Sequence, residues 1–266
     1  MRTTKPCVLL GGLALLLGCE STATHLSRTD RDGLLAFVPE ESQQEIERAR
    51  ERRAELDEQL AIAKRDQAEA GSLEGLATQN RAAMEVRLRE GVGRLGHARD
   101  FDDDEALADA RRQRAELEAA VRLQTAKQSY YDDVEALARR RLDLLNERAK
   151  LEDARVELAK AEAVAALDRP AAAKVDLDAQ RADTNRAADR VERARIEALV
   201  ARRRAELRAE YVEACAANVP EELRLQPIES IDAVFAGAAP EAAGDTGDAA
   251  EAAAEKTANA KGEGDQ

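Results

Sequence analysis

The fold is decided by residues 103–168, which read DDEALADARRQRAELEAAVRLQTAKQSYYDDVEALARRRLDLLNERAKLEDARVELAKAEAVAALD. No proline or glycine interrupts these 66 residues. The three most frequent residue types in the stretch, Ala, Leu and Arg, are strong helix formers, as is Glu. A continuous helix of this length would extend roughly 100 Å at 1.5 Å per residue. The stretch therefore predicts one long helix, taken here as residues 102–168.

Apolar residues recur along this helix at alternating spacings of three and four, which is the heptad pattern of coiled coils. They form two stripes, and two stripes on one helix indicate contact with two neighbouring helices. The first stripe contains Leu117, Val121, Gln124, Gln128, Tyr131, Ala138, Leu142, Leu145 and Ala149, and the second contains Val134, Leu137, Leu144, Leu151 and Leu158.

Residues 41–96 predict the preceding helical segment or segments. Their heptad seam contains Ile46, Ala49, Arg53, Leu56, Leu60, Ala63, Gln67 and Ala70. Gly71 and Gly75 are expected to weaken or break this helix. Because three glycines cluster within six residues, the segment is expected to end in a glycine-rich turn at Gly91, Gly93 and Gly96.

A third long helix is predicted over residues 170–218, with an apolar stripe of Val191, Ala194, Ala198, Ala201 and Ala205. Pro170 stands at its start, because proline is disfavoured inside a helix and tolerated in its first turn. We favour a tight reversal of the chain at Pro170. A kinked continuous helix is the alternative.

Composition supports the same fold class. Aromatic residues make up 2% of the chain, tryptophan is absent, and 36% of the residues are charged. Such a chain fills a narrow seam between helices more readily than a wide globular core, and a composition of this kind is typical of coiled coils. We therefore predict an all-α protein, either a long antiparallel helical hairpin or a three-helix coiled coil, with disordered termini.

Two segments outside the long helices contain short apolar patches. Residues 19–40 form a polar tether that contains an apolar patch, Leu34–Val38. We expect this patch to pack against the base of the helices, and contact with lipid is the alternative. Residues 219–236 contain a second apolar segment, and the Leu34–Val38 patch is its expected partner. The last residues, 237–266, hold seven acidic residues and two lysines, and this composition predicts a disordered tail.

No catalytic or metal-binding constellation stands out. The two histidines, His25 and His97, have no partner at metal-ligand spacing, and phosphate-binding and nucleophile motifs are absent. We therefore expect no enzymatic activity, no metal and no cofactor. The net charge of −13 argues against nucleic-acid binding, which requires a basic surface.

The amino terminus predicts the compartment. Arg2 and Lys5 precede an apolar run, Val8–Leu17, that is too short to span a membrane, and this arrangement is typical of a secretory signal peptide, residues 1–18. The sequence Leu16-Leu17-Gly18-Cys19 resembles the lipobox of bacterial lipoproteins. The resemblance implies cleavage between Gly18 and Cys19 and acylation of Cys19, which would hold the chain in membrane lipid. An ordinary signal peptide is the alternative.

Glu20 follows the predicted lipidation site. In the lipoprotein family, Asp at this position retains a protein at the inner membrane, so Glu favours the outer membrane. The predicted location is the cell envelope, with the chain facing the periplasm.

Cys215 would then be the one unacylated cysteine of the processed chain. In an oxidising compartment it is a candidate for an intermolecular disulfide, and the alternative is a small buried apolar side chain on a helix.

Two functions fit this sequence. The first is a lipid-anchored structural spacer, scaffold or docking arm that binds another envelope protein or a second copy of itself. The second is a chaperone-like or adaptor module for export or outer-membrane protein clients.

Overall fold

The computed structural model describes residues 28–100, 104–170 and 172–236. Of these residues 89% are helical, and no strand occurs among them, which confirms the all-α prediction. The α-helices are α1 (Arg28–Leu34), α2 (Glu40–Asp100), α3 (Asp104–Ala165), α4 (Leu177–Ala216) and α5 (Ile231–Val234), and short 3-10 helices cover Leu35–Phe37, Ala172–Lys174 and Glu221–Leu223.

Each of the three long helices runs antiparallel to the one before it in the sequence, and α3 lies between α2 and α4. Between α2 and α3, Arg52 pairs with Glu152 at 3.2 Å, while Arg81 donates to Gln128 at 3.0 Å. Between α3 and α4, Glu147 pairs with Arg190 and Asp133 pairs with Arg204.

In both pairs of helices, residue numbers rise on one helix as they fall on the other. Both α2 and α4 pack along α3, whereas they have no extensive contact with each other. The prediction that this central helix touches two neighbours is therefore confirmed.

Helix α2 continues through all five of its glycines. The predicted weakening or break at Gly71 and Gly75 and the predicted turn at Gly91, Gly93 and Gly96 are wrong. The reason is a row of buried residues one heptad apart, which extends the predicted seam beyond Ala70 as far as Gly91: Ala49, Leu56, Ala63, Ala70, Ala77, Met84 and Gly91. Packing of this row on α3 overrides the low helix propensity of glycine, about 1 kcal/mol per residue relative to alanine.

Gly91 belongs to this row because α3 comes close to it. A Cβ atom at residue 91 would lie 2.9 Å from Cδ1 of Leu117. The glycine that the sequence suggested as part of a turn is therefore a packing position.

The chain reverses direction around Pro170, as predicted. Helix α3 ends at Ala165, and α4 begins at Leu177 after the 3-10 turn Ala172–Lys174. The side chain of Asp176 caps α4 by accepting a hydrogen bond of 2.9 Å from the backbone N–H of Ala179. The alternative of a kinked continuous helix is wrong, and the third helix starts seven residues later than expected.

The apolar patch Leu34–Val38 packs at the end of the bundle where α2 begins and α3 ends, hereafter the base. Val38 lies in one buried cluster with Ile46, Ala163 and Val164, and Leu34 and Leu35 pack against that cluster. The expectation that the patch packs on the base of the helices is confirmed.

The apolar segment 219–236 does not pack on that patch. Val219, Ile231, Val234 and Phe235 belong to the central buried cluster, which is built mostly from α2, α3 and α4. The predicted pairing of the two segments is wrong, because the two patches lie at different levels of the bundle.

Candidate interaction surface

The predicted cleavage and lipidation residues, Gly18 and Cys19, lie outside the described residues. The first described element, α1, is held at the base by charged side chains. Arg31 pairs with Glu157 of α3, and Lys160 contacts both Asp32 at 3.3 Å and Glu157 at 3.1 Å. The side chains of Arg31 and Lys160 are each 10% exposed, so water screens these pairs less than it screens ordinary surface pairs. The described chain therefore enters the bundle at its base.

The C-terminal segment is held through its backbone by polar side chains of α3. Lys127 donates to the carbonyl oxygens of Arg224, at 2.7 Å, and of Gln226. Tyr130 donates to the carbonyl of Glu229 at 2.7 Å. Burial lowers the pKa of Lys127 and raises the pKa of Tyr130, and both effects follow from the cost of charge away from water.

Two further contacts complete this row. Gln124 donates to the same Arg224 carbonyl at 3.3 Å, and the hydroxyl of Tyr131 accepts from the backbone N–H of Glu229 at 3.2 Å. Sequence reasoning missed this role, although polar Gln124 and Tyr131 stood within a predicted apolar stripe.

Helix α4 packs on α3 through small side chains. Ala187, Ala198 and Ala205 are buried, and Val191, Ala194 and Ala201 are half-buried. The stripe predicted for this helix is therefore the one that faces α3, and it consists almost entirely of alanine.

Four large apolar side chains of α4 lie on its opposite, solvent-facing side. Ile196 is 52% exposed, Val200 64%, Leu207 50% and Tyr211 52%. Their spacings of four, seven and four residues place them along one side of the helix. We call these four residues the outer stripe. Sequence reasoning missed it, and the signal that would have revealed it is this second apolar series on a helix that already had one.

Arginines border the outer stripe. Val200 and Leu207 line a surface groove together with Arg203, Arg204 and Arg208. Arg204 and Arg208 also reach back to the buried carboxylate of Asp133, at 2.7 and 3.3 Å. Between residues 193 and 208 the helix carries six arginines and two glutamates, so this part of an acidic chain is locally basic.

Cys215 lies near the end of α4, with a free thiol that is half-buried against the central cluster. A hydrogen bond with Cys215 raises the pKa of Tyr211. An intermolecular disulfide through Cys215 stays a prediction.

Within residues 28–100, 104–170 and 172–236, no three His, Cys, Asp or Glu side chains are grouped as they would be to hold a metal ion. None of the helices in those ranges has the length and apolarity needed to cross a membrane. Comparison with protein-family models, curated proteins and solved structures finds no match to this chain.

Proposed function

We propose that the chain is a lipid-anchored helical arm of the bacterial cell envelope, held in membrane lipid through Cys19 and facing the periplasm. It acts as a spacer, scaffold or docking arm for another envelope protein or a second copy of itself. One observation carries this proposal: α1 is bound at the base, so an anchor at Cys19 joins one end of a long, narrow bundle.

The dimensions support an arm. Residues 20–27 separate the proposed anchor from α1, and eight residues span at most about 28 Å. Helix α2 has 61 residues, which corresponds to about 90 Å. The far end of the bundle, where α2 ends and α3 begins, therefore stands about 90 Å from the anchored end. A long stiff connection of this kind suits a protein that holds two structures apart.

The outer stripe supports a docking role. Four large apolar side chains on one helix face are a common feature of interaction sites, whereas single exposed apolar residues need no explanation. The same stripe is the observation that favours the second candidate function, a chaperone-like or adaptor module. The net charge of −13 makes a nucleic-acid partner unfavourable.

The anchor is tested by membrane fractionation of the wild type, Cys19→Ala and Cys215→Ser, with mass spectrometry of the processed amino terminus. We expect the wild type and Cys215→Ser to be membrane-bound and acylated at residue 19, and Cys19→Ala to be soluble. Cys215→Ser is the matched control because it removes the other cysteine of the processed chain. A soluble wild type without acylation would reject the anchor.

The docking role is tested by photo-crosslinking in cells, with the crosslinker placed at Val92 near the far end of α2 or at Leu199 on α4. Both positions are exposed. We expect a defined crosslinked species from at least one position, and recovery of only the monomer from both would contradict a docking arm. The chaperone-like alternative predicts instead that the purified protein suppresses aggregation of an unfolded outer-membrane protein.

A further inference from the structure

The outer stripe contrasts with the rest of the bundle in the size of its side chains. Elsewhere, alanines on α4 meet larger side chains on α3: Ala201 and Ala205 pack in the same buried cluster as Val134 and Leu137. The outer side of α4 carries large side chains, and nothing in the described bundle packs small side chains against them. A segment rich in alanine, with acidic residues to meet the bordering arginines, would complement this surface.

The chain itself supplies a segment of that chemistry. Residues 237–266, which lie outside the described residues, contain eleven alanines, seven acidic residues and two lysines. Five of the acids, Glu241, Asp245, Asp248, Glu251 and Glu255, recur at spacings of four, three, three and four. This spacing would align them along one side of a helix. The sequence predicts no independent fold for this tail, so an external surface is needed to order it.

The described chain ends at the same level of the bundle as one end of the outer stripe. Phe235 is buried beneath the guanidinium of Arg141, with 4.5 Å between the guanidinium carbon and the ring centre. Arg140, the residue before Arg141, pairs with Glu197 of α4 at 2.8 Å. Asp232 pairs with Arg202 of α4 at 3.1 Å. The tail therefore begins level with Ile196, the first residue of the outer stripe.

The lengths also match. The outer stripe, from residue 196 to residue 211, is about 22 Å long at 1.5 Å per residue. The acidic series, from residue 241 to residue 255, would span about 21 Å at the same rise. Four residues, 237–240, separate Ala236 from the first of these acids, which is enough to cross one side of a helix about 10 Å in diameter.

We propose that residues 237–266 bind in cis to the outer stripe of α4, with their alanines against Val200 and Leu207 and their acids beside Arg193, Arg203 and Arg204. Because the tail is covalently attached next to its site, its effective concentration there is in the millimolar range. The attachment makes a weak contact sufficient to cover the stripe. A partner that docks on α4 then has to displace the tail.

The test measures how fast a thiol at the stripe reacts. Leu207→Cys is introduced into the full chain together with Cys215→Ser, and alkylation at residue 207 is followed by mass spectrometry. Three tails are compared: the natural tail, a chain that stops after Ala236, and a tail whose five aligned acids are replaced by the corresponding amides. Val86→Cys on α2, at a residue 51% exposed, is the control site. Tyr211→Cys repeats the measurement in case the substitution at Leu207 weakens the contact.

We expect alkylation at residue 207 to be at least five-fold slower with the natural tail than with either altered tail, and unchanged at residue 86. Raising the salt to 1 M, where the Debye length falls to about 3 Å, should remove part of the protection. Equal rates with all three tails at residues 207 and 211 would overturn the proposal.

Two other occupants would also overturn it. Slow alkylation that persists without the tail and accelerates on dilution would identify a second copy of the chain as the occupant. Protection that arises only when phosphatidylglycerol vesicles are added would identify a membrane surface.

Discussion

Replacing Gly91 by alanine and replacing Gly93 by alanine should change the free energy of unfolding differently, although both residues lie in the same helix. At Gly93 no atom lies within 4 Å of an added Cβ, so Gly93→Ala gains only helix propensity, about 1 kcal/mol. At Gly91 the same gain is offset, because the new Cβ would lie 2.9 Å from Cδ1 of Leu117. Such crowding in a packed seam costs about 1–3 kcal/mol. We therefore expect Gly91→Ala to be between neutral and about 2 kcal/mol destabilising.

Urea denaturation followed by circular dichroism at 222 nm measures both variants. A change of 1 kcal/mol corresponds to about 2–4 °C in the melting temperature of a chain of this size, so thermal melts give a second reading. If these glycines formed a turn with positive φ, alanine would destabilise at both positions. A destabilised Gly93→Ala would therefore refute the continuous helix, and equal stabilisation at both positions would refute the close approach of Leu117.

Three further changes probe the contacts of α3 and α4. Tyr130→Phe removes the hydrogen bond from a buried hydroxyl to the backbone carbonyl of Glu229 and should lower the free energy of unfolding by about 1–2 kcal/mol; an unchanged urea midpoint would contradict this. Burial raises the pKa of Tyr130 and Tyr131 above the ordinary value of 10.0, so the stability that they contribute is complete below pH 10, begins to fall as the pH rises above 10, and is lost once the pH has passed their folded-state values. Urea titrations from pH 8 to 11 should show this loss, and Tyr130→Phe should reduce it. Asp133→Asn removes the carboxylate, 6% exposed, that binds Arg204. Because the arginine is largely exposed, we expect the free energy of unfolding to fall by about 1–2 kcal/mol, which is less than the cost of breaking a fully buried pair. A melting temperature equal to that of the wild type would argue against the pair. Cys215→Ser should abolish a minor disulfide-linked dimer on non-reducing gels, and identical gels for the variant and the wild type would reject the predicted disulfide.

The long helices could be predicted because their evidence is local. Helix α3 has a proline-free and glycine-free sequence, and its two stripes identify two neighbours without any knowledge of which helices they are. Gln128 of the first stripe does contact α2, and Leu137 of the second lies in the cluster with Ala205 of α4. Heptad periodicity encodes which sides of a helix are buried, and that is the information that the fold required.

The glycines of α2 show where local evidence was misleading. Glycine is both a turn residue and the smallest packing residue, and the clustering of three glycines favoured the prediction of a turn. The distinguishing signal was the heptad row, since Gly91 lies seven residues after Met84 and fourteen after Ala77. The row extended past the point where the predicted seam stopped. A glycine in phase with a buried row is evidence for close packing, whereas Gly93, which is out of phase, is exposed.

The partner of the C-terminal segment could not be predicted, because its recognition is non-local and largely independent of side-chain identity on the segment. Lys127 and Tyr130 bind the carbonyl oxygens of residues 224–229, and every residue type carries a carbonyl. Only the α3 side of the contact has a sequence signature, in the form of polar residues at buried positions.

The outer stripe departs from the usual pattern of a surface helix. A surface helix normally places its largest apolar side chains toward the core and leaves polar residues outside. Helix α4 departs from this pattern, because Ala198 and Ala205 lie inside while Val200 and Leu207 lie outside, although Val212 is also buried. The inner alanines are explained by close contact with α3, whereas nothing in the described bundle covers the large outer residues. A helix with two apolar sides has two packing partners, as α3 demonstrates with α2 and α4. By that rule α4 is one partner short, and the proposed contact with the tail, whose composition complements the outer stripe, would supply that partner.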